Sequence, residues 1–537
     1  MENARSAPLA RRGLALAALC TAALVISLDT TIVNVALPSL VRQLHASTAN
    51  LQWVVDAYSL VFAALILTAG SLGDRLGRKG TLIVGLGLFG VASLAGSAGT
   101  TVQQLIAARA VMGLGAALIF PATLSLISNI FTERAERARA IGLWGATTGV
   151  GIAMGPIVGG WLLGRFWWGS VFLFMAPVAA AVAIGVALVV PPSRDPRTPP
   201  LDWAGLALSS AGMGALVFTI IEAPGWGWGS ARTIAGFVTS VAVLAGFLLA
   251  ERRRRHPMLD VGLFRNLRFT AASGAVTVAF FALSGFIFLV TQFFQFLKAY
   301  SPLATGIRLL PVAGSVAVAS LVGTRLALRA GNKLVVTSGL IVLSGALLWI
   351  STASAATPYL EIAGQMILLG TGMGLTSAPA TEAIMGVVPK EKAGVGSAVN
   401  DATRLLGGTL GVAVIGSVSA SLYTSRLVST LPAGLPPAAV ETAKGSVGGA
   451  IVAAQHLSQA GLGPVAGQLR AAAVDGFLHS FAAGSLAGCA VAAAGGLLAW
   501  FLLPARPSAE AQPETTTMLA EPATRRVSSP TAPGGTK

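Results

Sequence analysis

Long apolar runs, separated by short stretches rich in charge, glycine and proline, make up most of the chain. A helix needs about 20 mostly apolar residues to cross a bilayer, so each run predicts one membrane-spanning helix. Two runs depart from the pattern, because 234–250 is short and 358–386 carries two carboxylates. The sequence predicts an all-α polytopic membrane protein with fourteen spans, at approximately 13–36, 51–72, 81–99, 103–127, 139–163, 170–191, 203–222, 234–250, 269–292, 305–327, 333–353, 358–386, 395–422 and 479–503.

The composition supports this interpretation. Of the 537 residues, 54% are hydrophobic and 10% are charged, whereas charged residues make up about 25% of an ordinary soluble protein. So few charges exclude a single soluble domain, and so many apolar residues exclude a disordered chain. The two cysteines and four histidines lack the spacing of a disulfide framework or a metal site, so we predict neither.

The net charge of +16 is, taken alone, typical of a nucleic-acid-binding protein. With the N-terminus placed in the cytoplasm, 26 lysines and arginines fall on the cytoplasmic side, 8 fall outside, and Arg109 and Arg404 fall within spans. Basic residues accumulate in cytoplasmic loops, so this asymmetry predicts an even number of crossings with both termini in the cytoplasm. Topology therefore accounts for the charge, and we predict no nucleic-acid partner. The basic run at 251–255 is interpreted as an anchor to anionic lipid headgroups.

Two parts of the chain echo each other. Residues 120–123 (Phe-Pro-Ala-Thr) and 378–381 (Ala-Pro-Ala-Thr) each follow a glycine-rich stretch and precede a short charged loop and a glycine-rich helix. Related halves are common in transporters, where they move about a central site. The predicted organisation is a cytoplasmic N-terminus at 1–12, a six-helix bundle at 13–191, two inserted helices at 203–250, a second six-helix bundle at 269–503 that includes an outer loop at 423–478, and a disordered cytoplasmic tail at 504–537.

The turn between the second and third spans combines glycines with charges. The glycines permit a tight turn, and the basic residues hold this turn in the cytosol. The segment resembles the signature loop of the major facilitator superfamily, and the resemblance implies a role in a cytoplasmic gate, above all for Asp74 and Arg78. The residues that carry it are Gly70, Gly73, Asp74, Arg75, Gly77, Arg78 and Lys79.

The fifth predicted span carries a second glycine pattern. Glycines four residues apart line one helix face and permit close packing, and a proline within the span invites a bend. Packing alone would account for the pattern, which also resembles the antiporter motif of the same superfamily. Its residues are Gly151, Gly155, Pro156, Gly159 and Gly160.

Four charged residues within predicted spans are candidates for proton coupling. Asp29 lies in span 1 and Arg109 in span 4, and a charge near mid-membrane costs at least about 2.5–3.5 kcal/mol, so each needs a partner inside the protein. Burial favours the protonated form of a carboxylate and a nearby arginine favours the ionised form, so such a pair can switch; the alternative is a fixed ion pair. Asp56 and Asp401 are secondary candidates. The alternative for Asp56 is a polar residue at the outer rim of the membrane, and the alternative for Asp401 is a local ion pair with Arg404 on the same helix.

Taken together, these motifs resemble the 14-span drug:proton antiporter group of the major facilitator superfamily, which includes bacterial multidrug and antibiotic efflux pumps. The resemblance covers roughly 13–503 and implies a major facilitator fold with two pseudo-symmetric halves in a 6+2+6 arrangement, with the inserted helices peripheral. The sequence departs from the family pattern at Met112, where glutamine is frequent, and at 168–170, where Trp-Arg-Trp is frequent. Seven phenylalanines between residues 280 and 296 are expected to face mainly lipid.

The function that the resemblance implies is export of hydrophobic, often cationic small molecules across the plasma membrane in exchange for protons, by a monomer that needs no cofactor. The sequence contains no Walker loop, dinucleotide signature or nucleophile–base pair, so we predict a transporter driven by an ion gradient and not an enzyme. Two alternatives remain open. The first alternative is a dedicated exporter of one metabolite or self-made antibiotic. The second is a membrane scaffold or receptor that transports nothing.

Overall fold

The structure, a computed structural model, describes residues 9–194, 202–254, 261–388, 393–432 and 434–504. Within these ranges the chain is helical and contains no strand, which confirms the predicted fold class. A 3-10 turn at Val261–Arg265 and a π-helical segment at Phe293–Leu297 flank one of the α-helices. The predicted tail, apart from residue 504, lies outside the described residues. The α-helices are α1 (Leu9–Leu44), α2 (Thr48–Leu76), α3 (Arg78–Ser97), α4 (Val102–Ile130), α5 (Arg134–Leu163), α6 (Ser170–Val189), α7 (Trp203–Trp226), α8 (Ala231–Arg253), α9 (Leu267–Gln292), α10 (Pro302–Arg308), α11 (Leu310–Ala330), α12 (Asn332–Ile350), α13 (Tyr359–Met385), α14 (Ala393–Thr430), α15 (Pro437–Gly445), α16 (Val447–Gln459) and α17 (Gly463–Leu502).

Thirteen segments of the described chain are long and apolar enough to cross a membrane, and α10 and α11 together form one of them. The short run at 234–250 is confirmed as part of α8, which qualifies as a span. α13 is not among the thirteen, because glycines, threonines and other polar residues lower its mean hydropathy. Its Gln365 and Thr376 are buried, and Gly372 brings its backbone against Leu343 of α12. A helix enclosed by protein tolerates such polar residues, so α13 stays the fourteenth predicted span.

The helices around the outer loop are longer than the hydrophobic pattern predicts. α14 continues to residue 430 and α17 begins at residue 463, so the loop is shorter than the predicted 423–478 and itself contains α15 and α16. Charged residues mark the predicted span ends, but Arg426 and Asp475 pair at 2.7 Å across the two helices. The two helices thus continue past these charged residues, which face each other.

The spanning helices pack as two groups. In the first group, α1 packs on α5. Both α2 and α3 pack on α4, and α3 also packs on α6. In the second group, α9 packs on α14, both α11 and α12 pack on α13, and both α12 and α14 pack on α17. The inserted helices α7 and α8 pair with each other, but α7 also packs on α2 and α14. α7 therefore contacts one helix from each group.

Glycines at matching positions give each group its closest helix contacts. Glycines of α5 lie against main-chain carbonyl groups of α1, and glycines of α14 lie in the same way against α9. The four contacts are Gly151 with Leu24, Gly155 with Leu28, Gly407 with Thr277 and Gly411 with Phe281. The same four-residue spacing in both groups confirms the pseudo-symmetry that the sequence repeat predicts.

The repeated threonines provide a second match between the groups. In the first group, Thr123 of α4 accepts a hydrogen bond from Trp144 Nε1 of α5 at 3.1 Å. In the second, Thr381 Oγ1 of α13 donates to Asn400 Oδ1 of α14 at 3.2 Å. The Pro-Ala-Thr segment thus joins two consecutive spans in each group.

Hydrogen bonds join the two groups at the end of the helices that the charge pattern predicts to be extracellular, called here the predicted outer end. Gln52 Nε2 of α2 donates to the carbonyl of Ala413 at 2.9 Å and to Ser417 Oγ at 3.2 Å, both on α14. Gln295 Nε2 of the π-helical segment donates to the carbonyl of Val35 on α1 at 2.9 Å. The two groups are therefore in direct polar contact on this side.

The loop helices α15 and α16 cover the same end. The last carbonyl groups of α15 accept hydrogen bonds from hydroxyl groups of both helix groups: Thr48 of α2 donates to Gly445 at 3.1 Å, and Tyr423 of α14 donates to Ala443 at 2.9 Å. Such side-chain donors replace the partners that a helix C-terminus otherwise lacks. Gly448 at the start of α16 lies between Val41 of α1 and the Phe296 ring. The loop therefore binds to both groups.

The opposite, predicted inner end is more open. α5 shows the contrast, since its residues at 142–150 are mostly exposed or half-buried, whereas Gly155 and Gly160 near its other end are in tight contact with α1 and α10. On the second group, the side chains of Asp401 and Arg404 keep 21% and 33% of their exposure. The hydrogen bonds between the groups described above thus lie at the predicted outer end, whereas these residues near the predicted inner end are exposed or half-buried.

Candidate functional site

Asp29 and Arg109, predicted as partners, form an ion pair inside the first helix group. Arg109 Nη1 donates to Asp29 Oδ2 at 2.7 Å, and the two side chains are 1% and 0% exposed, respectively. Arg109 Nε also donates to the carbonyl of Val54 on α2 at 3.0 Å. Asp29 Oδ1 has no hydrogen-bond partner among the described residues. One carboxylate oxygen is therefore held by the arginine, while the other is left without a donor.

Tyr58 completes this site, and the sequence interpretation missed it. The Arg109 guanidinium carbon lies 4.1 Å from the centre of the Tyr58 ring, the geometry of a cation–π contact. Gly113, one helical turn beyond the arginine, makes the approach possible, because an added Cβ would lie 2.5 Å from the Tyr58 carbonyl oxygen. A tyrosine two positions from Asp56 in an apolar span was the available signal in the sequence.

Asp56 is buried but lies outside the Asp29–Arg109 pair. Neither of its carboxylate oxygens has a hydrogen-bond partner among the described residues, and the residue is 0% exposed. It follows Gln52 by one helical turn and so shares the face of α2 that binds α14. Asp56 is therefore enclosed by protein, one helical turn from the Gln52 contact with α14.

Asp401 forms the local pair that was its alternative interpretation, but the pair is loose. Arg404 Nη1 lies 3.9 Å from Asp401 Oδ1 on the same helix. The arginine has other partners, since its Nη2 donates to Thr381 Oγ1 at 3.0 Å and its guanidinium carbon lies 5.6 Å from the Phe280 ring centre. The structure brings neither residue near Asp29. The four predicted charges therefore lie at three places: Asp29 with Arg109, Asp401 with Arg404, and Asp56 in neither pair.

Asp401→Asn is expected to lower the free energy of unfolding by less than about 1 kcal/mol, because partly exposed ion pairs contribute little. Arg404→Gln removes the Thr381 hydrogen bond as well and should cost more. Thermal unfolding of the two purified variants in detergent measures the difference. A larger loss for Asp401→Asn than for Arg404→Gln would contradict this account of the pair.

The predicted gate loop binds the end of α6. Gly77 has φ +120°, a backbone conformation that favours glycine. The main-chain N–H of Arg78 donates to the Ser193 carbonyl at 2.8 Å, and Lys79 Nζ donates to the Ala187 carbonyl at 2.7 Å. Gly70 faces Pro121 of α4, and Gly73 faces Thr81. These contacts stay within the first helix group; the side chain of Asp74 lies outside the described part.

The glycines of the predicted antiporter motif pack α5 between two other helices. Gly155 and Gly159 lie against α1, where an added Cβ would be 2.8 Å from the Leu28 carbonyl and 3.1 Å from the Ile32 carbonyl, respectively. Gly160 lies on the other side against Leu303 of α10. The glycines of the motif therefore make close packing contacts where α5 meets α1 of its own group and α10 of the second group.

A row of aromatic rings connects the ion pair with α5. Tyr58 lies 5.9 Å from Phe62, Phe62 lies 6.0 Å from Phe120, and Phe120 lies 5.0 Å from Trp144, measured between ring centres. Phe120 and Trp144 are half-buried.

The phenylalanines of span 9 differ from the expectation, because six of the seven are buried inside the protein and do not face lipid. These six are Phe281, Phe286, Phe288, Phe293, Phe294 and Phe296.

The chemistry available to these sites is acid–base and electrostatic. Within the described ranges, no three histidine, cysteine, aspartate or glutamate residues are grouped so that they could hold a metal ion. Asp29 and Asp56 are buried carboxylates, and the Asp29 carboxylate is held by a guanidinium. Such a site can exchange a proton for an ion-pair contact.

Comparison with known proteins places the chain in a family. Residues 19–412 match the sequence profile of the Major Facilitator Superfamily. The chain is 35% identical over 450 residues to the multidrug efflux pump LfrA of Mycolicibacterium smegmatis, which covers 84% of this chain and 89% of that protein. It is 33% identical over 407 residues to the tetracenomycin C resistance and export protein of Streptomyces glaucescens, which covers 76% of each.

The fold also has a solved counterpart. A bacterial homolog to the human lysosomal transporter Spinster, in an inward-facing and unoccupied conformation, aligns with a TM-score of 0.66 over 93% of this chain and 98% of its own, at 18% sequence identity. The profile match over most of the chain, the extensive identity to LfrA and the paired helix groups lead to one conclusion. The chain belongs to the major facilitator superfamily and is a multi-pass membrane transporter, not an enzyme.

Proposed function

We propose that this protein exports hydrophobic, often cationic drugs or antibiotics from the cytoplasm and that inward movement of protons drives the export. The single observation that carries the proposal is the buried Asp29–Arg109 pair with its unpartnered carboxylate oxygen. The names of LfrA and of the tetracenomycin C export protein support a drug or antibiotic substrate. We further propose a monomer in the plasma membrane that requires no cofactor.

The proposed topology has both termini in the cytoplasm, which makes the predicted outer end extracellular. We propose that the structure corresponds to an inward-open state, since the helix groups are hydrogen-bonded at the outer end and residues of α5 and α14 near the inner end are exposed or half-buried. Alternating access would require these outer contacts to break while the gate loop and the inner end of α5 close. The pseudo-symmetry of the two groups supports such a rocking motion.

The proposed coupling step is a change of partner at Arg109. With Asp29 ionised, the arginine is held by the carboxylate. Protonation of Asp29 removes this charge, so Arg109 loses its ionic partner and keeps the Val54 carbonyl, the Tyr58 ring and a neutral acceptor at Asp29. One charge moved through 100 mV supplies about 2.3 kcal/mol, so one or two protons can drive useful export. Asp56 and Asp401 are proposed as secondary proton or cation sites.

The test uses inside-out vesicles that contain the purified protein and a pH-sensitive dye. Adding a substrate is expected to release protons from vesicles that hold a proton gradient, because uptake into inverted vesicles corresponds to export. No proton release with any compound, in vesicles where the protein is folded, would contradict a proton antiporter and favour the scaffold alternative.

A panel of unrelated compounds then distinguishes the two transporter hypotheses. A multidrug pump is expected to release protons with several chemically unrelated cationic dyes and antibiotics. Response to one compound class alone would instead favour a dedicated exporter, as the name of the Streptomyces glaucescens protein describes for that relative.

A further inference from the structure

α7 closes the seam between the two helix groups. Its buried residues Val217, Ile220 and Ile221 form a separate apolar core with Ala413 of α14, and Trp53 of α2 packs against the same core. Because α2 and α14 belong to different groups, this core spans the boundary that alternating access would move.

Hydrogen bonds fasten the inserted pair to both groups at the predicted outer end. Trp53 Nε1 donates to Glu222 Oε1 of α7 at 3.3 Å, and Trp228 Nε1, in the turn between α7 and α8, donates to Ser421 Oγ of α14 at 2.9 Å. At the other end, an ion pair between Asp202 and Arg254 joins the two inserted helices to each other. The pair is therefore hydrogen-bonded to both groups at the outer end, and its two helices are ion-paired to each other at the inner end.

A cavity of about 150 Å³ lies beneath this cover, toward the predicted inner end. Its walls come from both groups and from the inserted pair, including Ala63 of α2, Ala402 and Leu406 of α14, and Phe247 of α8. Ser209 and Thr403 supply the only hydroxyl groups of the lining, and both donate elsewhere, to the carbonyls of Leu206 at 3.1 Å and Asn400 at 2.8 Å. The cavity thus offers a ligand no unsatisfied polar side chain.

We propose that this cavity binds one aromatic ring of a lipid-soluble small molecule and that the bound ring holds the two helix groups in the arrangement seen here. An apolar cavity of about 150 Å³ stays dry and accommodates a benzene-sized ring. Phe247 and Phe264 in its wall favour a ring over an alkyl chain, since aromatic pairs gain energy beyond their buried area.

Binding of the ring depends on the arrangement of the two helix groups, because helices of both groups form the walls of the cavity. α2 and α14 can enclose the ring only while their separation stays as it is here, so a ligand of this cavity binds one conformation better than the other and shifts the population toward it. The expected effect is inhibition of transport. This consequence depends on the proposed transport function, whereas the binding of the ring does not.

The binding test uses the Ser209→Cys variant in a background with Cys20→Ser and Cys489→Ser, which leaves one thiol in the cavity. The matched control is Ser210→Cys in the same background, because Ser210 does not line the cavity. Bromobenzene is expected to slow the reaction of the Ser209→Cys thiol with methyl methanethiosulfonate about tenfold and to leave the control unchanged. Equal slowing in both variants would overturn the site, and equal protection by dodecane would overturn the preference for a ring.

The transport test modifies the same folded variants with benzyl or methyl methanethiosulfonate. The benzyl adduct at position 209 is expected to reduce efflux about tenfold, because it places a ring in the seam, whereas the methyl adduct leaves efflux nearly unchanged. Normal efflux with the benzyl adduct would overturn the state dependence. Absence of efflux before modification would instead count against the proposed function, and the bromobenzene measurement would still decide the binding.

Discussion

Asp29→Asn is expected to abolish proton-driven efflux while the protein still folds and inserts into the membrane. Asparagine has nearly the same shape as aspartate, and its side-chain carbonyl can still accept the hydrogen bond from Arg109 that now measures 2.7 Å. What the variant loses is the group that can take up and release a proton. Substrate-induced proton release from vesicles measures the effect, and drug accumulation in cells gives a second reading.

Two controls make the Asp29 result specific. Asp475→Asn removes a carboxylate from an ion pair whose side chains are 48% and 52% exposed, so efflux should stay near normal. Thermal unfolding separates loss of coupling from loss of structure. Leaving Arg109 buried without a full charge partner could cost up to about 3–5 kcal/mol, so the melting temperature must be measured beside transport. Normal efflux in a folded Asp29→Asn variant would remove Asp29 from the coupling mechanism.

Gly155→Leu is expected to stop transport and to destabilise the protein strongly. A Cβ at this position would overlap Thr31 Oγ1 and lie 2.8 Å from the Leu28 carbonyl oxygen, so α1 and α5 would have to separate. Overpacking of a well-packed interior costs typically about 1–3 kcal/mol, and a backbone contact leaves little room to relax. The separation would also displace α1, the helix that carries Asp29. Thermal unfolding and efflux are the measurements.

The same helix provides the control for the glycine prediction. Gly149 has no atom within 4 Å of an added Cβ, so Gly149→Leu should fold and transport nearly as well as the natural chain. Gly411→Leu, the counterpart of Gly155 in the second group, should behave like Gly155→Leu because its Cβ would overlap the Phe281 carbonyl oxygen. Equal stability of the Gly155 and Gly149 variants would mean that the motif does not act through packing.

The sequence predicts the helices well because the signal for a span is local. Each span needs an uninterrupted apolar stretch, and charges at its ends report the side of the membrane. The ends are less predictable where charges find partners. Arg426 and Asp475 look like span limits in the sequence, yet α14 and α17 continue past them and the two side chains pair at 2.7 Å.

The Asp29–Arg109 pair could be predicted because two opposite charges in apolar spans have few other ways to be stabilised. The ring of Tyr58 and the carbonyl of Val54 could not, since their contribution depends on how closely α2 approaches α4 at Gly113. Asp401 shows the limit of the same argument: its i+3 neighbour is visible in the sequence, but only the geometry shows that Arg404 prefers Thr381.

The amino-acid pattern alone predicts how many apolar spans there are, roughly where each lies, and which few charges lie among them. It does not establish which helices touch, because that depends on side chains hundreds of residues apart and on the crossing of helix axes. Three-dimensional packing put Asp56 on the face of α2 toward α14 and brought six phenylalanines of span 9 inside the protein. It also placed α7 across the seam, which no local pattern records, since a lipid-facing helix and a seam-covering helix are equally apolar.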